Sequence, residues 1–207
     1  MTRPTASSRA VWATVGLAAI LWFVAFFLTW SIFWIKIAAS AAALAMIATM
    51  LQPPSGRPRL NVRDVIIGIV LAAALWGIFW AGKRVSTLIL PFAGQQIGAI
   101  YGKGEGFPRS IIFFLLLLIT GPCEEIYWRG FLQRQLMAVH GNVRGWLLAT
   151  AVYAGVHIWS FNFMLIGAAA VAGAFWGFCY WRLGRLGPVI VSHALWSAFI
   201  FAVVPIP

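Results

Sequence analysis

Ser110 to Met137 reads SIIFFLLLLITGPCEEIYWRGFLQRQLM, an apolar run that leads straight into two adjacent glutamates. Its first third, IIFFLLLLI, has the character of a membrane span, for which about 20 mostly apolar residues are needed. Glu124 and Glu125 fall inside or at the end of that span. A charge at mid-membrane costs about 2.5 to 3.5 kcal/mol on insertion scales, so two neighbouring carboxylates require a counter-charge, a proton or water. Arg129 stands four residues after Glu125, on the same helix face, where the two can pair. Glu124 is turned about 100° away, onto the face that carries Trp128. The spacing predicts one carboxylate neutralised within its own helix and one directed at something else. Pro122 frees a backbone carbonyl a turn earlier, which is tolerated only where the helix is packed or wet.

The rest of the chain has the same solvent preference. Of its 207 residues 62% are hydrophobic and only 9% charged, and the mean hydropathy is +0.92. A soluble domain carries about 25% charged residues, so a water-soluble fold would leave this apolar surface uncovered. The expected fold is all-α, a polytopic transmembrane helix bundle of about seven spans. Val11 to Trp30 gives the first, read as a retained span, and a reversal near Thr29 to Lys36 separates it from a second ending at Leu51. Gln52 to Asp64 is a Pro-rich basic loop, and Val65 to Ala81 a third span. Lys83 to Arg109 reads as an extramembrane loop with a short interfacial or re-entrant helix. Ser110 to about Met137 is one long helix; Gly145 to Trp159, Phe163 to Trp181 and Leu186 to Val204 complete the set. Residues 1–207 form a single integral-membrane domain without internal repeats, and its motif-bearing core is about 110–204.

The net charge of +11 comes from 15 Lys and Arg against four acids. These cations form short clusters between apolar runs rather than a stripe or tail, which points to membrane topology and anionic lipid and away from nucleic acid. With the N-terminus inside, Arg3, Arg9, Arg57, Arg59, Arg63, Arg134, Arg144, Arg182 and Arg185 face inward. Lys36, Lys83, Arg84, Lys103 and Arg109 face outward, and this bias predicts a cytoplasmic N-terminus. Cys123 and Cys179 lie without a CxxC, so neither a disulfide framework nor a thiolate metal site is expected.

Two histidines lie within spans. His157 ends Tyr153-Ala154-Gly155-Val156-His157, and His193 lies early in the last span, in Ser192-His193-Ala194-Leu195-Trp196-Ser197. At about 1.5 Å per residue, Glu124 and His193 fall about 10 Å from the inner surface and His157 nearer the midplane. Helix tilt brings the three within reach of one another. His140, beside Gly141, reads as a surface residue.

The ordered set Glu-Glu-x-x-x-Arg, aromatic-x-x-x-His and a later intramembrane His resembles the CPBP family, the CAAX prenyl proteases and bacteriocin-processing enzymes. The likeness covers about Thr120 to Ser197. It implies an intramembrane endopeptidase of the glutamic type, in which Glu124 activates water with the help of His157. Glu125 and Arg129 would brace the helix, and His193 would stabilise the oxyanion together with the residue four positions on. That residue is Ser197, where the family usually has Asn or Asp, and Tyr153 stands where Phe is common. The chemistry of the residues agrees: hydrolysis needs a buried base and a nearby imidazole.

Four other readings compete. Glu and two His can supply the protein ligands of a zinc peptidase, although no HExxH is present and no metal site is expected. Cys123 beside an intramembrane histidine suggests a cysteine peptidase, against which adjacent carboxylates argue. Intramembrane Glu and His also serve proton-coupled transport, and the Ser197 departure leaves room for a non-catalytic immunity or scaffold protein. The short form and Arg-rich loops suggest a bacterial inner membrane. The expected partners are membrane lipids and a membrane-anchored protein or peptide substrate, including a C-terminal sorting helix.

Overall fold

The computed structural model describes residues 6–52 and 60–206. Among these residues there are eight helices and no strand. They are α1 (Ser8–Phe26), α2 (Phe33–Leu51), α3 (Val62–Ile89), α4 (Ala93–Gly102), α5 (Arg109–His140), α6 (Asn142–Val156), α7 (Phe163–Leu183) and α8 (Gly187–Ala202). The all-α helix bundle read from the sequence is the fold. Helices α1, α2, α3, α5 and α7 are each long and apolar enough to cross a membrane, and α8 is a shorter apolar helix. Together with the 15-residue α6, these are the seven segments anticipated as spans. Apolar residues such as Ile20, Val70, Phe114 and Leu118 are exposed on the outer faces, an arrangement that suits lipid contact. The chain is an integral membrane protein.

The helix ends follow from local chemistry. Ser7 accepts a hydrogen bond from the Ala10 N–H. Asn61 and Asp64 form a reciprocal capping box at the start of α3, and Asn162 accepts from the Leu165 N–H at the start of α7. Each satisfies donors that the first helical turn leaves free. The reversal expected near Thr29 to Lys36 lies between Phe26 and Phe33, and the Lys36 ammonium donates back to the Leu28 carbonyl. Most of the Pro-rich basic loop, residues 53–59, lies outside the described residues, as do Arg3, Arg57 and Arg59.

One expectation of extent is corrected. The third span does not stop at Ala81, because α3 continues to Ile89. The polar residues there are accommodated by the helix: Ser86 and Thr87 donate to the Lys83 carbonyl, and Lys83 Nζ reaches the Ile206 carbonyl at 2.8 Å. At 28 residues, α3 is about 42 Å long, more than the hydrocarbon thickness. The loop that follows contains α4, the short helix expected between Lys83 and Arg109.

Helix α5 is one continuous helix, as read, but not a uniform one. Wider π-type turns occupy Leu116–Thr120 and Ile126–Gln133, on either side of Gly121–Glu125. The Gly121 N–H bonds to the Leu116 carbonyl five residues back, which accommodates the donor lost at Pro122. The apolar core has two parts. Trp22, Trp34, Trp128 and Phe131 join α1, α2 and α5, and Leu75, Trp176, Val189 and Trp196 join α3, α7 and α8.

Close backbone approach sets the position of α8 against α5. A Cβ at Gly121 would lie 2.7 Å from Ala194 Cα and 2.9 Å from its nitrogen. No side-chain rotation relieves that contact. Gly121→Ala therefore destabilises the protein by about 1 to 3 kcal/mol, the usual cost of overpacking, which thermal unfolding in detergent measures as a lowered midpoint.

Candidate active site

Three helices deliver the chemistry: α5 carries Glu124, Glu125 and Arg129, α6 ends at His157, and α8 carries His193 and Ser197. Glu125 is fully buried at 0% exposure. Its Oε1 sits 2.7 Å from Arg129 Nη1 and 2.6 Å from His193 Nδ1. The Glu125–Arg129 pair is the one that the i,i+4 spacing predicts. The imidazole from α8 on the same oxygen is not; spacing within one helix carries no information about it. Arg129 also donates to the Gly173 carbonyl of α7 at 3.4 Å and lies 4.7 Å from the Tyr153 ring centre. Glu125 and Arg129 thus tie α5 to α6, α7 and α8. Trp176 stacks on His193 with ring centres 3.9 Å apart, and its indole N–H is committed to Ser192 Oγ.

Glu124 faces the other way. It lines a cavity of about 430 Å³ together with His157, His193 and Ser197. Glu124, His157 and His193, expected to converge, all line this cavity. Glu124 Oε2 accepts a hydrogen bond from the Tyr153 phenol at 3.1 Å, while its Oε1 has no hydrogen-bond partner among the described residues. His157 Nδ1 lies 2.8 Å from the Tyr153 carbonyl, and Trp22 Nε1 donates to His157 Nε2 at 3.3 Å. That network places the ring proton on Nδ1 and leaves Nε2 as an acceptor. The Ser197 hydroxyl makes no hydrogen bond among the described residues. His140 is exposed, as read from its loop position.

The cavity is walled mainly by apolar side chains. Ile78 of α3 and Val171 of α7 are among its lining residues and are exposed. At one end Tyr101 and Lys103 of the α4 segment line it. The Lys103 ammonium lies 4.9 Å from the Phe33 ring centre; burial, and then the nearby Lys36 charge, hold it below the usual lysine range. Cys123 is half-buried and is not among the residues that line the cavity. Among the described residues no three His, Cys, Asp or Glu side chains are grouped to hold a metal ion.

Tyr153, Trp22 and Trp176 are the residues of this site that sequence reasoning missed as participants. The signal for Tyr153 was present, a hydroxyl at an aromatic motif position one turn before His157. Nothing in α1 distinguished Trp22 from an ordinary apolar span residue.

Comparison with known proteins agrees with the motif reading. Residues 104–199, just under half of the chain, match the family described as Type II CAAX prenyl endopeptidase Rce1-like. Over that segment the CPBP resemblance holds; the family is one of CAAX intramembrane proteases, which act on membrane-associated proteins. No curated protein and no solved structure matches the chain.

Removing one member of a buried ion pair leaves the other charge uncompensated, at about 3 to 5 kcal/mol. Arg129→Met accordingly lowers the thermal midpoint far more than Glu124→Gln, whose carboxylate faces a cavity. Unfolding of the two purified variants side by side measures the difference.

Proposed function

We propose that this protein is an intramembrane endopeptidase of the glutamic type that cleaves a peptide bond in a membrane-associated substrate. The observation that supports this most is the division of labour between two adjacent carboxylates. Glu125 is neutralised by Arg129 and His193, and Glu124 is left with one free oxygen at a cavity that also holds an imidazole acceptor. A water between Glu124 Oε1 and His157 Nε2 has a base on one side and a second acceptor on the other. Its second bond competes only with the long contact from Trp22.

In the reaction the water oxygen adds to the scissile carbonyl and gives its proton to Glu124. The carbonyl electrons move onto oxygen, and the oxyanion needs donors. His193 supplies one through Nε2, the ring nitrogen that Glu125 does not occupy. Collapse breaks the C–N bond as Glu124 returns the proton to the amine. The proposal requires no metal.

The substrate reaches the cavity from lipid, past the exposed lining residues Ile78 of α3 and Val171 of α7, as the apolar walls favour. A membrane-anchored protein or peptide fits such an entry, a C-terminal sorting helix included. The Asp64–Arg185 ion pair, at 2.7 Å, joins the start of α3 to the turn before α8. It thereby brings Arg63, Arg182 and Arg185 to one end of the bundle. We place that end in the cytoplasm by the positive-inside rule, with the N-terminus on the same side and a bacterial inner membrane as the setting.

The test compares protein termini in membranes carrying the wild type or Glu124→Gln, by mass spectrometry. At least one membrane-anchored protein yields a new terminus with the wild type and none with Glu124→Gln at equal abundance. Identical termini from a well-inserted Glu124→Gln protein reject the peptidase.

A further inference from the structure

An oxyanion needs O–H or N–H donors within about 3 Å of where its charge develops, and this site has few to offer. It lies in mid-helix on both α5 and α8, so backbone N–H groups there are used by the helices themselves. Side chains must serve. Among those lining the cavity, the Trp176 indole donates to Ser192, the Trp34 indole to the Lys103 carbonyl and Lys83 to the Ile206 carbonyl; His157 Nδ1 faces the Tyr153 carbonyl, and Tyr101 and Lys103 belong to the α4 end of the cavity. The Thr120 hydroxyl and the Trp196 indole nitrogen are buried and covered, without partners. Ser197 has a free hydroxyl but the shortest reach of any donor side chain. His193 gives a single donor.

Tyr153 is different because of what it donates to. Its phenol, 3.1 Å from Glu124 Oε2, is held by the same carboxylate that takes up the water's proton. Its ring is fixed against Trp128 at 5.1 Å between centres and beneath the Arg129 guanidinium. We propose that Tyr153 is a catalytic residue, the second donor to the oxyanion, and that protonation of Glu124 releases its O–H for that role. The inference rests on the peptidase reading above.

The sequence balances. Before attack, Glu124 is a carboxylate and the strongest acceptor within reach of the phenol. On attack, the C–O bond forms, the water's proton passes to Glu124, and negative charge appears on the former carbonyl oxygen. Glu124 is then neutral and a weaker acceptor, while the oxyanion is a strong one. The phenol hydrogen bond moves from one to the other and no proton leaves Tyr153. When the C–N bond breaks, Glu124 gives its proton to the amine, becomes a carboxylate again and recaptures the phenol. The interaction with substrate is made only at the transition state, the kind that raises kcat rather than lowering KM.

The experiment uses the full-length protein in liposomes and the peptide spanning the cleavage site found in the comparison of wild type with Glu124→Gln. A phosphonamidate of the same peptide carries the oxyanion at the scissile position. Tyr153→Phe removes one oxygen and keeps the ring. It lowers kcat by about 10²- to 10³-fold, the loss typical of one oxyanion donor, with KM unchanged. Phosphonamidate affinity falls in parallel, and the affinity for the uncleaved peptide on the Glu124→Gln background does not. Wild-type kcat in Tyr153→Phe overturns the assignment. So does a lowered kcat with undiminished phosphonamidate affinity, because a phenol that merely holds Glu124 has no reason to favour the oxyanion. Cleavage by Glu124→Gln itself is a different failure, that of the peptidase reading.

Discussion

The fully buried Glu125 carboxylate, bonded on one oxygen to both Arg129 and His193, is the interaction on which the rest depends. A carboxylate at this depth is unaffordable without compensation, and both compensating groups also position other parts of the protein. Arg129 reaches the Gly173 carbonyl and lies over the Tyr153 ring. His193 brings α8 against α5 and is held flat on Trp176. Neutralising one glutamate therefore fixes four helices around its neighbour. Glu124 is left facing a cavity instead of a counter-ion, and a carboxylate with a free oxygen is what proton abstraction needs.

The second constraint is steric. Glycine at 121 lets α8 approach the α5 backbone where a methyl group would collide. Gly145 does the same for α6, where a Cβ would lie 2.4 Å from Met137 Cα. In lipid, where apolar burial gives no drive between helices, such close packing and interhelical hydrogen bonds hold a bundle together. The π-type turns on either side of Gly121–Glu125 alter the angular spacing along α5. Within Gly121–Glu125 the ordinary step of about 100° between neighbours directs Glu125 at α8 and Glu124 at the cavity shared with α6.

Much of this was legible in the sequence because its causes are local. Seven apolar segments, the reversal before Lys36, the short helix after α3 and the Glu125–Arg129 pair all follow from hydropathy or i,i+4 spacing. The motif order also pointed to Glu124, His157 and His193 as partners across helices. Other features were not legible, for physical reasons. The end of α3 was set too early because Ser86 and Thr87 bond back into their own helix, which hydropathy does not register. His193 sits on Glu125 as well as beside the cavity, a matter of how α5 and α8 rotate against each other. Trp22 reaches His157 from a helix 135 residues earlier, and nothing in its neighbourhood marks it.

Hydrolysis at membrane depth requires water to enter the cavity beside Glu124, and cysteine accessibility shows whether it does. In a protein with Cys123→Ala and Cys179→Ala, Ser197→Cys places a thiol on the cavity wall. Leu118→Cys places one on an outer face of α5, where Leu118 is 65% exposed and lipid covers it. A small charged methanethiosulfonate, which reacts with hydrated thiolates, is added to intact membranes. A hydrated cavity gives rapid labelling at position 197 and none at 118. Absence of labelling at 197, with the protein folded and inserted, would mean a dry cavity and would contradict it.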